Sequence, residues 1–392
     1  MKAGWQESPI GEVFRVVNGG TPKTGVAAYW DGPHAWITPA EMGGLETPLL
    51  SGSRRTLTDE GLRVGAELVP EGSIILSTRA PIGHLVINEV PMAFNQGCKG
   101  LVPSTGVDTK FAYYFLLANV PLLESLGTGA TFKELSGGKL KEVPFRFPEL
   151  SEQRRIVAIL DEAFEGIATA KAHAERNLRN AREVFERELE ALFSGVIPRS
   201  VSSTLGSAYD VRDGTHDSPK YHDQGYPLVT SKNLKRDGLS LDDVKLIDGT
   251  DFRKINERSA VHRGDVLFAM IGTIGNPTVV ETEPNFAIKN VALLKVSPHQ
   301  SGHFLRYYLS SQGVATKMQA EAKGTTQKFV GLGYLRAFPI AVPPLEEQLS
   351  IVRELDDLLA ETDRLEDIYA RKLAVLDELK QSLLHQAVSG QL

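Results

Sequence analysis

The chain contains a single cysteine, Cys98, among its 392 residues. One cysteine excludes an intrachain disulfide and a zinc site built on several cysteines. No apolar run approaches the roughly 18 residues of a membrane-spanning helix, and the N-terminal segment MKAGWQESPIGEVF lacks the apolar core of a signal peptide. We therefore expect a cytoplasmic protein. The composition, 42% hydrophobic and 23% charged, suits a globular chain long enough for two hydrophobic cores.

Motifs of several enzyme classes are also missing. The sequence has no GxxxxGK[ST] phosphate-binding loop, which argues against an ATP-driven motor. Its nearest approach to the Asn/Asp-Pro-Pro-aromatic motif of adenine methyltransferases is the tripeptide at 276–278, which lacks the second proline and the aromatic residue. His299 and His303 have a metal-like spacing, but without HExxH or a cysteine cluster a solvated helix face is favoured. We predict no catalytic residue, cofactor site or metal site in this chain.

The net charge of -6 is unevenly distributed. Residues 149–196 carry 10 acidic and 7 basic residues, and residues 344–392 carry 11 and 5. The rest of the chain therefore has a small positive charge. This balance permits nucleic-acid binding without demonstrating it.

What the sequence does contain is a long internal repeat. Residues 148–195 align with 343–390 at a constant offset of 195, without a gap, with 14 identities in 48 positions. The identical pairs include Gln153 with Gln348 and Asp161 with Asp356. Both copies begin with proline and glutamate, which favour a helix start, and both close with Ser-Gly. The repeat predicts two long helices of equal length.

Apolar residues in both predicted helices alternate steps of four and three, which is typical of a coiled coil. The first helix has an alanine-rich seam: Ile156, Leu160, Ala163, Ile167, Ala170, Ala174, Asn177, Ala181 and Val184. The second has a leucine-rich seam: Ile351, Leu355, Leu358, Thr362, Leu365, Tyr369, Lys372, Leu376, Leu379 and Leu383. Small residues pack closely against large ones, so we expect the helices to pair with each other. Because a whole folded segment separates them, the pairing should be antiparallel.

The remaining residues predict two similar α+β domains. In each, short β-rich runs are divided by Gly, Pro and Asn. The run EGSIILSTRAPIG at 71–83 aligns with RGDVLFAMIGTIG at 263–275, and the loop segment at 129–144 aligns with 324–339. The predicted order is domain, helix, domain, helix, with bounds 1–147, 148–196, 197–342 and 343–392. This is an internal pseudo-two-fold repeat.

The order of these parts resembles the DNA-specificity subunit of Type I restriction-modification enzymes. The resemblance rests on the PxLxEQxxIV helix starts and the closing Ser-Gly of both repeats. The segments STRAPIG at 77–83, NQGCKG at 95–100 and GTGATFKELS at 127–136 are similar to its target recognition domains. The resemblance covers essentially the whole chain and implies a part in defence against foreign DNA.

In that family each recognition domain binds one half of a bipartite, asymmetric site on double-stranded DNA, and the paired helices fix the separation. The resemblance implies two modification subunits that methylate adenine, with restriction subunits, the motor nucleases, attached through them. S-adenosylmethionine, ATP and magnesium are then expected only in those partners, and the specificity subunit itself performs no chemistry. The alternatives are a scaffolding protein with two protein-binding domains on a coiled coil and, more remotely, an enzyme of an unrecognised type.

Polar and basic residues in the Gly-rich loops are the candidates for DNA contact, because such loops let backbone approach phosphates and side chains reach base edges. In the first domain they are Lys23, Thr24, Thr38, Arg79, Asn95, Gln96, Lys99, Thr131 and Lys133. In the second they are Lys220, Ser231, Lys232, Asn233, Lys289, Asn290, Thr325, Thr326, Gln327 and Lys328. The alternative is that these residues cap loops or lie on solvated surface. Trp30 and Trp36 could stack on a base, but packing within the domain is the favoured interpretation.

A second apolar stripe follows the first long helix, one position beyond the seam. It comprises Val157, Phe164, Leu178, Phe185 and Leu192. A second stripe on a helix that is already paired needs another partner. It indicates either a docking surface for the modification subunits or packing beneath the chain's own domains.

Overall fold

The computed structural model describes residues 4–45, 47–129, 133–196, 202–235, 238–272, 274–324 and 327–392. The helices are α1 (Ile10–Val13), α2 (Pro39–Met42), α3 (Asp59–Gly65), α4 (Thr109–Ala118), α5 (Val120–Leu126), α6 (Gly137–Glu142), α7 (Leu150–Val196), α8 (Leu205–Ala208), α9 (Gly249–Ser259), α10 (Gly302–Ser310), α11 (Gln312–Glu321), α12 (Leu332–Ala337) and α13 (Leu345–Ser389). No helix in this part of the chain combines the length and apolar character needed to cross a bilayer.

The strands carry the labels β1 to β21 in chain order. Those before α7 are β1 (Gln6–Pro9), β2 (Phe14–Asn18), β3 (Trp30–Ile37), β4 (Leu49–Leu50), β5 (Arg55–Leu57), β6 (Ile74–Thr78), β7 (Ile82–Asn88), β8 (Met92–Phe94), β9 (Cys98–Pro103) and β10 (Pro144–Phe147). Those after it are β11 (Ser202–Thr204), β12 (Asp210–Asp213), β13 (Tyr226–Val229), β14 (Leu234–Lys235), β15 (Gly238–Leu239), β16 (Lys245–Ile247), β17 (Val266–Ala269), β18 (Gly275–Val279), β19 (Ala287–Ile288), β20 (Val291–Lys295) and β21 (Pro339–Ala341).

Tertiary contacts divide the chain into two compact units. The first unit is Met1–Ala174 with Arg371–Leu392, and the second unit is Glu175–Ala370. Each long helix is therefore shared: α7 begins in the first unit and ends in the second, and α13 does the reverse.

The two units have the same strand order. The first contains a five-stranded sheet β2-β9-β6-β7-β4, a three-stranded sheet β5-β3-β8 and the pair β1-β10. The second contains the matching sheets β12-β20-β17-β18 and β16-β13-β19, the pair β11-β21, and an added hairpin β14-β15. The predicted α+β repeat is confirmed.

The central strand of each unit separates two hydrophobic cores, because successive side chains in a strand point to opposite faces. On β6, Ile74 and Leu76 pack into the core that contains the long helices, whereas Ile75 packs into the other core. On β17, Phe268 packs into the core that contains the long helices, and Leu267 packs into the other core.

A repeated glutamine attaches each long helix to its unit. The buried Gln153 accepts a 2.8 Å hydrogen bond from the backbone N–H of Asp108, the N-cap residue of α4, and donates a 2.8 Å bond to the Pro148 carbonyl. In the second unit, Gln348 occupies the equivalent position at the start of α13. The identity of these two residues in the repeat therefore has a structural cause.

Within each unit the long helices run antiparallel. In the first, Lys171 Nζ lies 2.7 Å from Asp377 Oδ1. In the second, Arg182 Nη2 lies 2.9 Å from Glu366 Oε2, and the Asn177 amide donates a 3.2 Å hydrogen bond to the Tyr369 hydroxyl. Residue numbers rise along α7 as their partners' numbers fall along α13, which confirms the predicted direction.

The predicted seams are wrong at Val184, Lys372 and Leu379. Val184 is 54% exposed and Leu379 is 45% exposed, and Lys372 also faces solvent. Leu189 and Leu384 are buried instead. An α-helix has 3.6 residues per turn, so a seam with a repeat of 3.5 drifts by roughly 20° per heptad and reaches a different face by the end of a long helix.

Candidate nucleic-acid interface

In the first unit, the described parts of five loops meet at one edge of the sheets, which we call the loop edge: 19–29, 38–45 with 47–48, 79–81, 95–97, and 127–129 with 133–136. Strand pairing places them together. β2 ends where β9 begins, with Asn18 opposite Lys99, and β6 ends beside the same point, with Ser77 opposite Cys98. The parallel strands β3 and β8 also end there, since the Asn95 N–H donates a 2.9 Å hydrogen bond to the Ile37 carbonyl.

Two of these loops are joined by side-chain hydrogen bonds. The Asn95 amide donates a 3.0 Å bond to the Thr21 hydroxyl, which also bonds to Gln96. Asn95 Oδ1 in turn accepts a 2.8 Å bond from the Gly97 N–H. A Cβ at Gly19 would lie 2.0 Å from the Asn95 carbonyl oxygen, so this approach requires glycine. Asn95 thus holds the loop in shape, whereas Gln96 is exposed.

The segments STRAPIG and GTGATFKELS also come together. The Leu135 N–H donates a 2.9 Å hydrogen bond to the Thr78 carbonyl, and Arg79 forms an isolated antiparallel bridge with Glu134. Arg79 Nη1 lies 3.6 Å from Glu134 Oε2, with both side chains partly exposed. Lys133 is exposed in this loop, whereas Thr131 lies outside the described residues.

The other candidates of the first unit have different surroundings. Lys23 and Thr24 are exposed in the loop after β2. The Thr38 hydroxyl caps α2 by accepting a 3.4 Å hydrogen bond from the Glu41 N–H, which agrees with the loop-cap alternative. Lys99 lies in β9, not in a loop, and is only 8% exposed. No described residue forms an ion pair or hydrogen bond with its ammonium group.

The second unit has an equivalent loop edge, whose described parts are 214–225, 230–235 with 238–240, 271–272 with 274, 289–290, and 322–324 with 327–331. The Lys289 N–H donates a 2.8 Å hydrogen bond to the Val229 carbonyl, as Asn95 does to Ile37. The Val330 N–H bonds to the Met270 carbonyl at 2.9 Å, as Leu135 does to Thr78. One backbone arrangement therefore carries different side chains in the two units.

Most candidates of the second unit lie on this edge. Gln327, Lys328 and Lys220 are exposed, and the Lys289 ammonium donates a 2.8 Å bond to the Ser218 hydroxyl. Ser231 and Lys232 lie in a single 3-10 turn. Thr325 and Thr326 lie outside the described residues.

The surroundings of Asn233 correct its predicted role as a DNA contact. It is only 4% exposed, and its amide accepts a 2.9 Å bond from the Thr230 N–H and donates a 3.1 Å bond to the Ser240 carbonyl. Because both ends of the amide are used to shape the loop, Asn233 presents no free polar group for a base.

The sequence interpretation missed His216, Asp213 and Arg258. His216 Nε2 lies 2.8 Å from Asp213 Oδ2, and Arg258 Nη2 lies 2.5 Å from Asp213 Oδ1. His216 and Arg258 line a cavity of about 500 Å³ beside the loop edge. Hydrogen bonds to Asn290 and Asp213 raise the pKa of His216 above its ordinary value. A signal was present, because the Gly-Thr-His of residues 214–216 follows β12 as the Gly-Gly-Thr of 19–21 follows β2.

The two tryptophans pack within the first unit, as favoured. Trp30 is 7% exposed and Trp36 is 2% exposed, with ring centroids 5.1 Å apart. The Arg55 guanidinium lies 3.6 Å from the centroid of the Trp30 ring. Neither ring is free to stack on a base.

The second stripe of α7 contacts the chain's own units. Val157 is buried and Phe164 packs beside it, its ring centroid 5.4 Å from that of Tyr114. Phe185 and Leu192 pack against the core of the second unit. Leu178 is half-buried. Four of these five residues therefore pack beneath the chain's own domains, which was the second of the two interpretations of this stripe.

Two α+β units with matching sheets, each with polar loops at one sheet edge, define a protein built as an internal repeat with two similar surfaces. In the described ranges no group of three or more His, Cys, Asp or Glu side chains is arranged to hold a metal ion. The sequence profile of the Type I restriction modification DNA specificity domain matches residues 2–176 and 215–371, and the chain belongs to this family.

Curated relatives agree over nearly the whole length. The chain is 25% identical to the Type I restriction enzyme MjaIX specificity subunit of Methanocaldococcus jannaschii, covering 99% of this chain and 93% of the relative. It is 24% identical to the EcoBI specificity subunit of Escherichia coli, covering 88% and 78%.

Solved structures show the same fold. A chain from a study of complex assembly and conformational transition of the type I R-M system matches with a TM-score of 0.80 at 18% identity, covering 100% of this chain and 99% of the other. The HsdS subunit from Thermoanaerobacter tengcongensis matches with a TM-score of 0.66 at 17% identity, covering 100% and 98%. This chain is therefore a DNA-recognition subunit, a class that leaves catalysis to other subunits.

Proposed function

We propose that the two units recognise the two halves of one bipartite DNA site, through the recognition domains 1–147 and 197–342. The observation that carries the proposal is the shared loop edge. Asn95 and Lys289 donate the same backbone hydrogen bond to the end of a matching strand, yet the two side chains differ completely. One scaffold with different contact groups suits two different half-sites, and so an asymmetric target.

Within the loop edges, we assign base contacts to Arg79, Gln96, Asn290 and Gln327. Arginine can bond guanine bidentately, and asparagine or glutamine can do so with adenine. The lysines of the loops provide the phosphate contacts that set register and affinity: Lys23, Lys133, Lys220, Lys232, Lys289 and Lys328. The hydroxyls and Asn95 position the loops or meet the sugar-phosphate backbone.

The complex around this subunit is also part of the proposal. Two modification subunits dock on the paired helices, restriction subunits attach through them, and S-adenosylmethionine, ATP and magnesium bind to those partners in the cytoplasm. Apolar side chains left exposed on the long helices support a docking role. Among the described residues they include Val184, Leu349 and Ile368 in the second unit, and Val375 and Leu379 in the first.

Methylation sequencing of DNA treated with the complex of this chain and its modification subunits tests the proposal. The expected site has two specified parts around an unspecified spacer. Gln96→Ala should relax one part only and Gln327→Ala the other, by about 1 to 3 kcal/mol per lost base contact. Glu89→Ala, just beyond the far end of β7, is the matched control and should change neither. A continuous site, or equal loss in both halves from one substitution, would contradict the assignment.

A further inference from the structure

His216 lies between two hydrogen-bond acceptors. Its Nε2 atom is 2.8 Å from Asp213 Oδ2, and its Nδ1 atom is 2.8 Å from Asn290 Oδ1. The imidazole is 60% exposed, whereas the Asp213 side chain is only 15% exposed. The histidine thus connects a fixed carboxylate to a residue assigned to base contact.

Both ends of this connection are held in place. Asp213 Oδ1 accepts a 2.5 Å bond from Arg258, and the Asp213 carbonyl accepts a 2.6 Å bond from the Ser259 hydroxyl. The Asn290 N–H donates a 3.1 Å bond to the Thr215 carbonyl, and Asn290 has the left-handed φ of 55° that asparagine tolerates better than most residues. The side-chain amide of Asn290 can turn without disturbing this frame.

The charge on His216 determines how that amide must face. A carboxylate only accepts, so Nε2 carries a proton in both charge states. In the cation, Nδ1 also carries a proton and donates to Asn290 Oδ1. In the neutral ring, Nδ1 is an acceptor, so the amide must turn by about 180° and donate from Nδ2. The end of the amide that faces away from His216 is therefore a donor in the first state and an acceptor in the second.

We propose that His216 is a positioning residue whose protonation selects whether Asn290 presents a donor or an acceptor to the DNA. The proposal rests on the proposed function, in which Asn290 contacts a base. Because one end of the amide is held by His216, Asn290 makes a single base contact. A presented donor matches the acceptors of guanine and thymine and N7 of adenine in the major groove, and a presented acceptor matches the amino groups of cytosine and adenine. The second half-site is then recognised with a pH-dependent base preference.

The charged groups around His216 set the pH at which its protonation state changes. Hydrogen bonds to Asn290 and then Asp213 raise the His216 pKa above its ordinary 6.5, the Asp213 charge adds to this, and desolvation and Arg258 oppose it. Asp217, Asp251 and Lys254 line the same cavity. The cation and its donor orientation dominate below the raised pKa.

The first unit provides an internal control. There Thr21 takes the place of His216; its hydroxyl accepts a 3.0 Å bond from the Asn95 amide and donates to Oε1 of Gln96, which follows Asn95 as Asn290 follows Lys289. Asn95 Oδ1 is already held by the Gly97 N–H at 2.8 Å. A threonine hydroxyl stays uncharged throughout the working range of pH, so the first half-site should be recognised in the same way at every pH.

The test uses the complex of this chain with its modification subunits and duplexes that vary each position of both half-sites through all four bases, from pH 5.5 to 8.5. At one position of the second half-site, the affinity for guanine or thymine relative to cytosine should fall by at least about fivefold as pH rises. His216→Thr, which installs the residue of the first unit, should remove the dependence. Preferences in the first half-site should stay constant in both proteins.

A measurement without DNA tests the turning of the Asn290 amide separately from its contact with a base. In the intact chain, the side-chain amide NMR signals of Asn290 should titrate together with the His216 ring and become constant in His216→Thr. If the amide does not follow the ring, the proposed switch is overturned while base contact by the loops stands. If the amide follows but no base preference changes, the assignment of Asn290 to a base is overturned. A pH-dependent preference that persists in His216→Thr would also overturn the switch.

Discussion

The Tyr307 hydroxyl donates a 2.5 Å hydrogen bond to Asp356, and so joins α10 of the second unit to the long helix α13. Tyr114 on α4 makes the same 2.5 Å bond to Asp161 on α7. Burial, and then the bond to Asp356, raises the pKa of Tyr307 to about 12. The tyrosine therefore stays a donor throughout the working range of pH, and this pair fixes the rotation of each long helix against its unit.

The first prediction concerns this pair. Tyr307→Phe and Asp356→Asn should each destabilise the second unit by about 1 kcal/mol, because each removes or weakens one hydrogen bond to a carboxylate. The double variant should lose less than the two single losses combined. A double-mutant cycle from denaturant unfolding measures this coupling, with the exposed Tyr221→Phe as the control. Strict additivity would show that the bond does not contribute.

The second prediction concerns the repeated glutamine. Gln348 accepts a 2.9 Å bond from the Ser301 N–H and donates a 2.8 Å bond to the Pro343 carbonyl. Gln348→Ala leaves both groups without these partners and should cost about 1 to 3 kcal/mol for each group that water cannot reach. Thermal unfolding should show the loss, and the exposed neighbour Glu347→Ala should show almost none. Equal effects from the two variants would contradict the structural role of Gln348.

The third prediction concerns the length of the paired helices. The observed partners, Lys171 with Asp377 and Asn177 with Tyr369, place Ala174 nearly opposite Lys372. Seven residues inserted after each of these two positions keep the helices in phase and add about 10 Å. The spacer of the methylated site should lengthen by about three base pairs, as methylation sequencing would show. Intact methylation at the original spacing would mean that the helices do not set the separation.

The fourth prediction concerns Cys98. Burial raises the pKa of its thiol to about 12, although the charge of Lys99 opposes this. The native thiol should resist alkylation at pH 8 and react fully in denaturant, as mass spectrometry after iodoacetamide treatment would show. Because the unfolded thiol ionises near pH 9 and the folded one does not, its contribution to stability should decline as pH rises from about 9 to about 12. Rapid labelling of the folded chain would contradict the observed burial.

The sequence alone was sufficient for the repeat and both long helices, because a gapless match of PxLxEQxxIV segments depends on local geometry alone. The antiparallel direction followed from the folded segment that separates the helices. The same match singled out Gln153 and Gln348, but it did not show why both repeats have glutamine at this position. Their partners, Asp108 and Ser301, lie 45 and 47 residues away in the sequence. Long-range hydrogen bonds of this kind have no local sequence signal.

The sequence predicted which loops form the candidate interface, but not which of their side chains have free polar atoms. Asn233 matched every criterion of composition, yet its amide is used within its own loop because Thr230, Ser240 and Asp243 close around it. Val184 and Leu379 matched the heptad but lie where the seam has drifted away from the partner helix. Periodicity specifies which residues are apolar, whereas the surrounding fold decides which face is covered.

The sharing of the long helices between the units also determines the order in which the cores can be completed on a ribosome. The second unit is one continuous stretch, Glu175–Ala370. The core of the first unit includes Leu384 and Ala387 at the end of α13. Although its domain is synthesised first, the core of the first unit must wait until the end of α13 has been made. Its apolar surface at α4 and α7 stays open to solvent, and to chaperones, throughout the synthesis of the second.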